Sequence, residues 1–168
     1  MFKKTLLAAA MLAFGGAAIT AQAATTDTFH VNMTILPSCS ITAGSASDIQ
    51  IGAATGVTAD SGSNYGQGTV HVVCSKTTSY HVAMTPSNSN PNGAGTMSSL
   101  STSDLVPYQL HQDSPSGAIW GGSSGGKSNT VGGTGTGESQ DIDVFAVAPD
   151  ANFTPGDYSD VVTVSVSF

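Results

Sequence analysis

One octapeptide of the chain matches a phosphate-binding pattern. Residues 121–128 read Gly-Gly-Ser-Ser-Gly-Gly-Lys-Ser. In the G-x-x-x-x-G-K-S motif, backbone amides cradle phosphates where a strand turns into a helix. The residues that follow, 129–135, are turn-forming and contain no helix-forming stretch. We therefore interpret the match as a chance occurrence in a Gly/Ser-rich loop.

Histidines and a pair of aspartates are the other candidates for chemistry. They are His30, His71, His81 and His111, with Asp141 and Asp143. Metal sites on strands usually show His-x-His or mixed Cys/His clusters, whereas these histidines are scattered. The two aspartates share one strand face, but no nucleophile, base or pocket signature accompanies them. We expect all these side chains to face solvent, and we predict no catalytic residue, metal site, cofactor or enzymatic activity.

The first 23 residues have the pattern of a secretory signal. Lys3 and Lys4 supply the charged start, residues 6–19 are apolar or small, and cleavage is predicted between Ala23 and Ala24. The alternative is a retained membrane anchor. However, the apolar run is short for a span of roughly 20 residues, and no second run follows. We therefore predict an exported protein without direct membrane insertion.

The two cysteines, Cys39 and Cys74, offer a cross-link. In an exported chain they most simply form one disulfide. By the chain-entropy model, this would stabilise a loop of that size by roughly 3–4 kcal/mol. The alternative is a pair of reactive or metal-binding thiols, which needs further ligands nearby in sequence, and none are present.

The charge of the chain excludes two classes of partner. Beyond the predicted signal only Lys76 and Lys127 are basic, against eleven acidic residues, and the chain has no arginine. Nucleic acid and anionic lipid both require clustered Lys and Arg. We therefore predict a protein that binds no nucleic acid, with a surface of mostly Ser, Thr, Asn and Gly.

Period-2 alternation of apolar and polar residues recurs along the chain, whereas no segment has apolar residues at helical spacing over three turns. The predicted strands are 28–35, 39–41, 49–51, 69–74, 80–84, 106–110, 119–120, 142–146 and 158–168. The stretches 52–68, 86–103 and 121–137 are predicted to be loops or connections. If one or both of the short segments 49–51 and 119–120 are not counted, six or seven strands follow from Cys39 onward, as expected of an immunoglobulin-like sandwich.

Both ends of the mature chain carry an amphipathic strand. The apolar residues are Phe29, Val31, Met33 and Ile35 near the start, and Val162, Val164, Val166 and Phe168 at the end. Unpaired strands without charged gatekeepers invite pairing with another chain. Our hypothesis is that the first strand completes the core of a neighbouring copy, which would make the protein a polymer subunit.

Several short motifs in order resemble the spore coat U domain family, which includes subunits of Csu-type pili assembled by the archaic chaperone-usher pathway. The matching features are Phe29-His-Val-Asn-Met-Thr-Ile35 before Cys39, then Cys74, Tyr108-Gln-Leu-His-Gln-Asp113, Trp120-Gly121, and Pro155-Gly-Asp-Tyr158-Ser-Asp-Val-Val-Thr-Val-Ser-Val166. Together these features span nearly the whole mature chain.

The resemblance implies an all-β fold, an incomplete immunoglobulin-like sandwich that lacks its last strand. Residues 24–37 would then be a donor-strand extension and linker, and residues 38–168 the domain. Phe29, Val31, Met33 and Ile35 would be the donor side chains. The acceptor groove, also the chaperone contact, would be lined by Val162, Val164, Val166 and Phe168.

The same resemblance implies three kinds of partner: a periplasmic chaperone, an outer-membrane usher, and identical or related pilus subunits. The expected function is a structural pilus subunit at the cell surface, supporting attachment and biofilm formation. The alternatives are a tip-proximal adhesin or surface-binding module, and a coat or matrix protein of the same fold.

Overall fold

The computed structural model of the protein describes residues 25–43, 48–52, 64–122 and 129–168. The chain divides into two compact units, one ending at Thr34 and one formed by Ile35–Phe168. In the first unit, residues 25–34 form no strand, and the side chains of Phe29, Val31 and Met33 are 80–87% exposed. The signal sequence and the cleavage site at Ala23 and Ala24 lie outside the described residues and stay predictions.

The second unit consists of strands in two antiparallel sheets. They are β1 (Cys39–Thr42), β2 (Tyr65–Cys74), β3 (Ser79–Pro86), β4 (Ala94–Ser98), β5 (Leu105–Gln112), β6 (Val131–Thr134), β7 (Ser139–Val147) and β8 (Val162–Ser167). One sheet has the order β1-β2-β7-β5-β4, and the other β6-β3-β8. Among the described residues no helix could cross a membrane. The all-β prediction is confirmed.

Alternation along the long strands builds the core. In β2, Val70, Val72 and Cys74 are buried while the residues between them face outward, and β3 buries every second side chain in the same way. Trp120 is fully buried. Its indole N–H donates a hydrogen bond to the backbone oxygen of Val82 at 3.0 Å, so the polar atom of this large side chain is satisfied.

Two strands lie where loops were predicted, and both contain glycines that seat a tyrosine ring. A Cβ on Gly95 of β4 would lie 2.2 Å from the ring of Tyr108, and one on Gly133 of β6 would lie 2.4 Å from the ring of Tyr80. The predictions of loops at 86–103 and 121–137 were therefore wrong in part. Sequence patterns treat glycine as a strand breaker, whereas here it makes room for an aromatic side chain.

Two further boundaries differ from prediction. Residues 49–51 form no strand, although Ile49 and Ile51 pack against the core, and β2 begins at Tyr65 within the predicted loop 52–68. A Cβ on Gly66 would lie 2.4 Å from the backbone oxygen of Gln50. Only glycine allows this close approach, so β2 extends through residues that read as a turn.

The predicted disulfide is present. Cys39 of β1 and Cys74 of β2 are directly opposite each other in the antiparallel pair, and their sulfur atoms are bonded. The described residues contain no free cysteine. The bond fixes the start of β1 to the end of β2, so the entry of the chain into the sandwich is covalently anchored.

Candidate functional site

Strand β8 is an edge strand. It pairs antiparallel with β3, and no other described strand pairs with it. In the register, Val162 lies opposite Pro86, Val164 opposite Met84, and Val166 opposite Val82. The second side of β8 is therefore an open sheet edge.

The directions of the backbone N–H and C=O groups at this edge follow from the alternation of hydrogen-bonded and non-hydrogen-bonded pairs in an antiparallel ladder. The N–H of Met84 donates to the backbone oxygen of Gly121, so it points away from β8. The Met84–Val164 pair is accordingly of the non-hydrogen-bonded type, and so are the pairs made by Val162 and Val166, two residues away on either side. The N–H and C=O groups of these three valines point to the open edge, where they can pair with another strand.

The side chains of the same valines show an unfinished core. Val162, Val164 and Val166 are only half-buried, although they pack against the core, and Phe168 is 61% exposed. Strand β1 is the facing edge of the other sheet and contacts β8. An apolar strand that pairs with the open edge of β8 would bury the valines and use their backbone groups. The geometry of this edge therefore suits the binding of a β-strand.

A buried tyrosine holds the start of β8. The Tyr108 hydroxyl donates to Asp160 Oδ2 at 2.6 Å, two residues before the strand begins. Burial raises the pKa of Tyr108 strongly, and the hydrogen bond and the charge of Asp160 raise it further. The tyrosine thus stays a neutral donor, and the path of the chain into the edge strand is fixed.

The other end of β8 borders a recess. Its volume is about 390 Å³, and it is lined by Ile35, Leu36, Pro37, Phe168 and residues 75–79. Lys76, within this lining, is the only lysine or arginine among the described residues. The recess therefore combines apolar side chains with one positive charge.

The histidines and aspartates that the sequence offered for metal binding or catalysis form no site among the described residues. His71 Nδ1 lies 2.6 Å from Asp141 Oδ1, and Thr69 donates to Asp143, all on the exposed face of β2 and β7. His30 and His81 are exposed, and His111 contacts the backbone oxygen of Gly117. The described residues contain no group of three His, Cys, Asp or Glu side chains that could hold a metal. Residues 123–128 of the phosphate-loop match are outside the described part.

The structure brings the predicted acceptor residues Val162, Val164 and Val166 together on one edge, with Phe168 at its end. The predicted donor residues Phe29, Val31, Met33 and Ile35 lie in an exposed stretch, and their contact with another copy stays a prediction. Sequence reasoning missed Asp160 as the partner of Tyr108. The contact joins residues 52 positions apart, so no local pattern could have indicated it.

Comparison with solved structures identifies a shared fold. A chain in the crystal structure of the CsuC–CsuE chaperone–tip adhesion subunit pre-assembly complex, from archaic chaperone-usher Csu pili of Acinetobacter baumannii, is 24% identical with a TM-score of 0.51. The match covers 80% of this chain and 40% of that chain. A chaperone–tip adhesin complex of CFA/I fimbriae biogenesis matches at 14% identity and a TM-score of 0.42, covering 77% of this chain and 41% of that chain.

The protein thus spans less than half the length of the solved chains it matches. No match was found among curated proteins. The family model of the Spore Coat Protein U domain (SCPU) matches residues 25–165, which include the extended stretch at the start, the disulfide and most of β8. The chain therefore belongs to the Spore Coat Protein U domain family.

Proposed function

We propose that this protein is a structural subunit of a surface pilus that polymerises by donor-strand exchange. Residues 29–35 of one copy would insert beside β8 of another copy and complete its core. The observation that carries the proposal is the open edge of β8, where half-buried valines and outward-pointing backbone groups coincide. The exposed, alternating stretch at residues 29–35 of another copy would supply the matching strand.

The inserted strand is expected to run antiparallel to β8. Every other pair in both sheets is antiparallel, and this pairing is slightly more stable per residue. A parallel strand would also place the donor's own linker and domain beside Phe168, where Ile35, Leu36 and Pro37 of the acceptor already lie. The antiparallel register that pairs all four donor residues with all four acceptor residues places Phe29 opposite Phe168 and Ile35 opposite Val162.

This register would use both the outward-pointing backbone groups and the half-buried valine side chains of β8. Val31, Met33 and Ile35 would form hydrogen-bonded pairs with Val166, Val164 and Val162. The four donor side chains would gain roughly 6–12 kcal/mol in total from burial, at about 1.5–3 kcal/mol each. Each ladder hydrogen bond would add about 0.5–1.5 kcal/mol. Loss of translational and rotational freedom on association reduces this sum, but the junction also closes an open core.

An open apolar edge needs protection before assembly, since unpaired strands promote aggregation. We therefore propose that a periplasmic chaperone covers β8 first. The exchange would then occur at an outer-membrane usher, through which the fibre reaches the cell surface. Attachment and biofilm formation would follow from the fibre. The protein is structural and not an enzyme, as its family assignment indicates.

The test uses substitutions at two neighbouring residues, whose side chains would point to opposite faces of the inserted strand. Met33→Asp places a charge on the face that would be buried, whereas Asn32→Asp places the same charge on the face that would remain in solvent. Met33→Asp is expected to abolish polymers that resist cold detergent while leaving the chaperone complex intact. Asn32→Asp should assemble normally.

Deletion of residues 24–35 provides a second test of the donor strand. The truncated chain should fold and bind a chaperone but form no fibre. Long detergent-resistant fibres from the truncated chain, or from the Met33→Asp chain, would show that residues 29–35 are not the donor strand.

A further inference from the structure

Two opposite ends of the Ile35–Phe168 unit have complementary surfaces. We name the end formed by residues 99–104 and 154–161 the Leu100 pole, and the end formed by residues 35–37, 75–79 and Phe168 the Phe168 pole. Strand β8 starts at the first pole and ends at the second. We propose that in a fibre the Leu100 pole of one copy docks on the Phe168 pole of the next copy, as a second subunit contact beside the donor strand. This inference rests on the proposed function.

The length of the linker forces the two poles together. In the antiparallel register, Ile35 of the donor lies beside Val162 of the acceptor, at the Leu100 pole. The donor's own β1 begins at Cys39, and only Leu36, Pro37 and Ser38 intervene. Four Cα steps span at most about 14 Å, and Pro37 restricts the backbone further. The body of the donor must therefore begin within this distance of the acceptor's Leu100 pole.

The Leu100 pole presents an apolar knob on a well-anchored loop. Leu100 is fully exposed, and Val161 is 73% exposed. The loop is held by a bridge between Ser98 and Ser159, a hydrogen bond between Thr102 and Tyr158, and the backbone N–H of Thr154, which donates to Asp104. Because its neighbours are fixed, Leu100 is presented to another surface at little entropic cost.

The Phe168 pole presents a recess of matching character. Its volume of about 390 Å³ is more than twice the roughly 150 Å³ cavity that accommodates a benzene molecule, so a leucine side chain can enter. Leu36, Pro37 and Phe168 supply apolar lining. The size and the chemistry of the recess therefore fit Leu100 of the preceding copy.

Charge favours the same orientation. The Leu100 pole carries Asp104, Asp157 and Asp160, whereas the Phe168 pole carries Lys76. Contact between two Leu100 poles would bring carboxylates together, while head-to-tail contact places Lys76 near them. A head-to-tail contact of this kind extends into an open filament rather than a closed dimer.

A cross-linking experiment on assembled fibres tests this contact. In the full chain, Leu100→Cys is combined with Ser79→Cys, one exposed cysteine at each pole. Mild oxidation of fibres, followed by boiling in non-reducing detergent, is expected to give a ladder of covalent oligomers. The matched control combines Leu100→Cys with Ser165→Cys, whose side chain is exposed in the middle of β8, and should give monomers.

A charge exchange gives an independent readout. Lys76→Glu is expected to slow cross-linking of the pole pair about two- to fivefold, as for a surface ion pair, and Asp157→Lys in the same chain should restore it. Fibres that form normally but yield no ladder, or equal ladders in the control, would overturn the docking of the poles while leaving donor-strand exchange intact. Failure of the unsubstituted chain to form fibres would overturn the proposed function and this contact with it.

Discussion

At the scale of residues, a side-chain hydrogen bond anchors the segment that leads into the edge strand. Tyr108 of β5 is 5% exposed, and its hydroxyl reaches Asp160 in the segment before β8. The bond joins β5 of the five-stranded sheet to the segment that leads into β8, at the Leu100 pole. Because burial and the nearby carboxylate both oppose ionisation, the pKa of Tyr108 lies well above its ordinary value.

Removal of this hydroxyl should lower stability and change its dependence on pH. A raised pKa means that the contribution of Tyr108 to folding is fully present below the unfolded value near pH 10 and is lost as the pH rises above it. Tyr108→Phe is expected to cost about 1–2 kcal/mol at neutral pH, since Asp160 loses a donor. Above pH 10, the variant should lose less stability than the unsubstituted chain.

Urea unfolding between pH 7 and 11, followed by the fluorescence of Trp120, measures both effects. Tyr65→Phe is the matched control, because Tyr65 is 47% exposed, and its free energy of unfolding should be unchanged. If the free energy of unfolding fell equally above pH 10 in the Tyr108→Phe and unsubstituted chains, the hydroxyl would not contribute as described.

At the scale of elements, glycine determines which stretches become strands. In β4 and β6, a glycine faces the sandwich interior and leaves space for a tyrosine ring. The ring covers the glycine backbone and supplies the packing that a side chain would otherwise provide. Local propensity predicts a loop at both places. However, the packing of the tyrosine ring stabilises each strand by more than the low strand propensity of glycine destabilises it.

Gly95→Ala tests this packing in β4. The added Cβ would lie 2.2 Å from the Tyr108 ring, so the ring or the strand must move. Such overpacking is expected to cost about 1–3 kcal/mol. Gly52→Ala is the control, since no atom lies within 4 Å of a Cβ built there, and it should be neutral or slightly stabilising. Thermal unfolding of both variants measures the difference, and equal melting temperatures would contradict the close fit.

At the scale of the whole molecule, the chain forms a sandwich with one unfinished side. The five-stranded sheet ends at β1 and the three-stranded sheet at β8, and these two edges face each other. The disulfide secures β1 at this side. It therefore anchors β1, the strand of the five-stranded sheet that contacts the edge strand β8.

Replacement of Cys39 and Cys74 by serine should destabilise the whole domain. The bond closes a loop between residues 35 positions apart, and the chain-entropy model gives roughly 3–4 kcal/mol for such a loop. We expect a lower yield of folded subunit, with recognition of the β8 edge retained in the fraction that folds. Urea unfolding of the monomer checks the loss, and unchanged stability would contradict the structural role of the bond.

The sequence by itself determined the class of fold and most of the candidate site. Alternation over five or more residues predicted the long strands, because burial on one face of a sheet imposes period 2. The same pattern at both ends of the chain, together with the family resemblance, predicted residues 29–35 as donor and residues 162–168 as acceptor, and both roles stay predictions. Motifs in order indicated the family, which the family model confirms.

Only the tertiary structure decided which edge is open and which glycine stretches are strands. A strand pattern shows that one face is buried, but hydrogen-bond partners are set by residues distant in sequence. The side to which the backbone of Val164 points depends on the bond from Met84 to Gly121, and the path into β8 depends on Tyr108 and Asp160. These long-range contacts have no periodic signature, since each joins one residue to one distant partner.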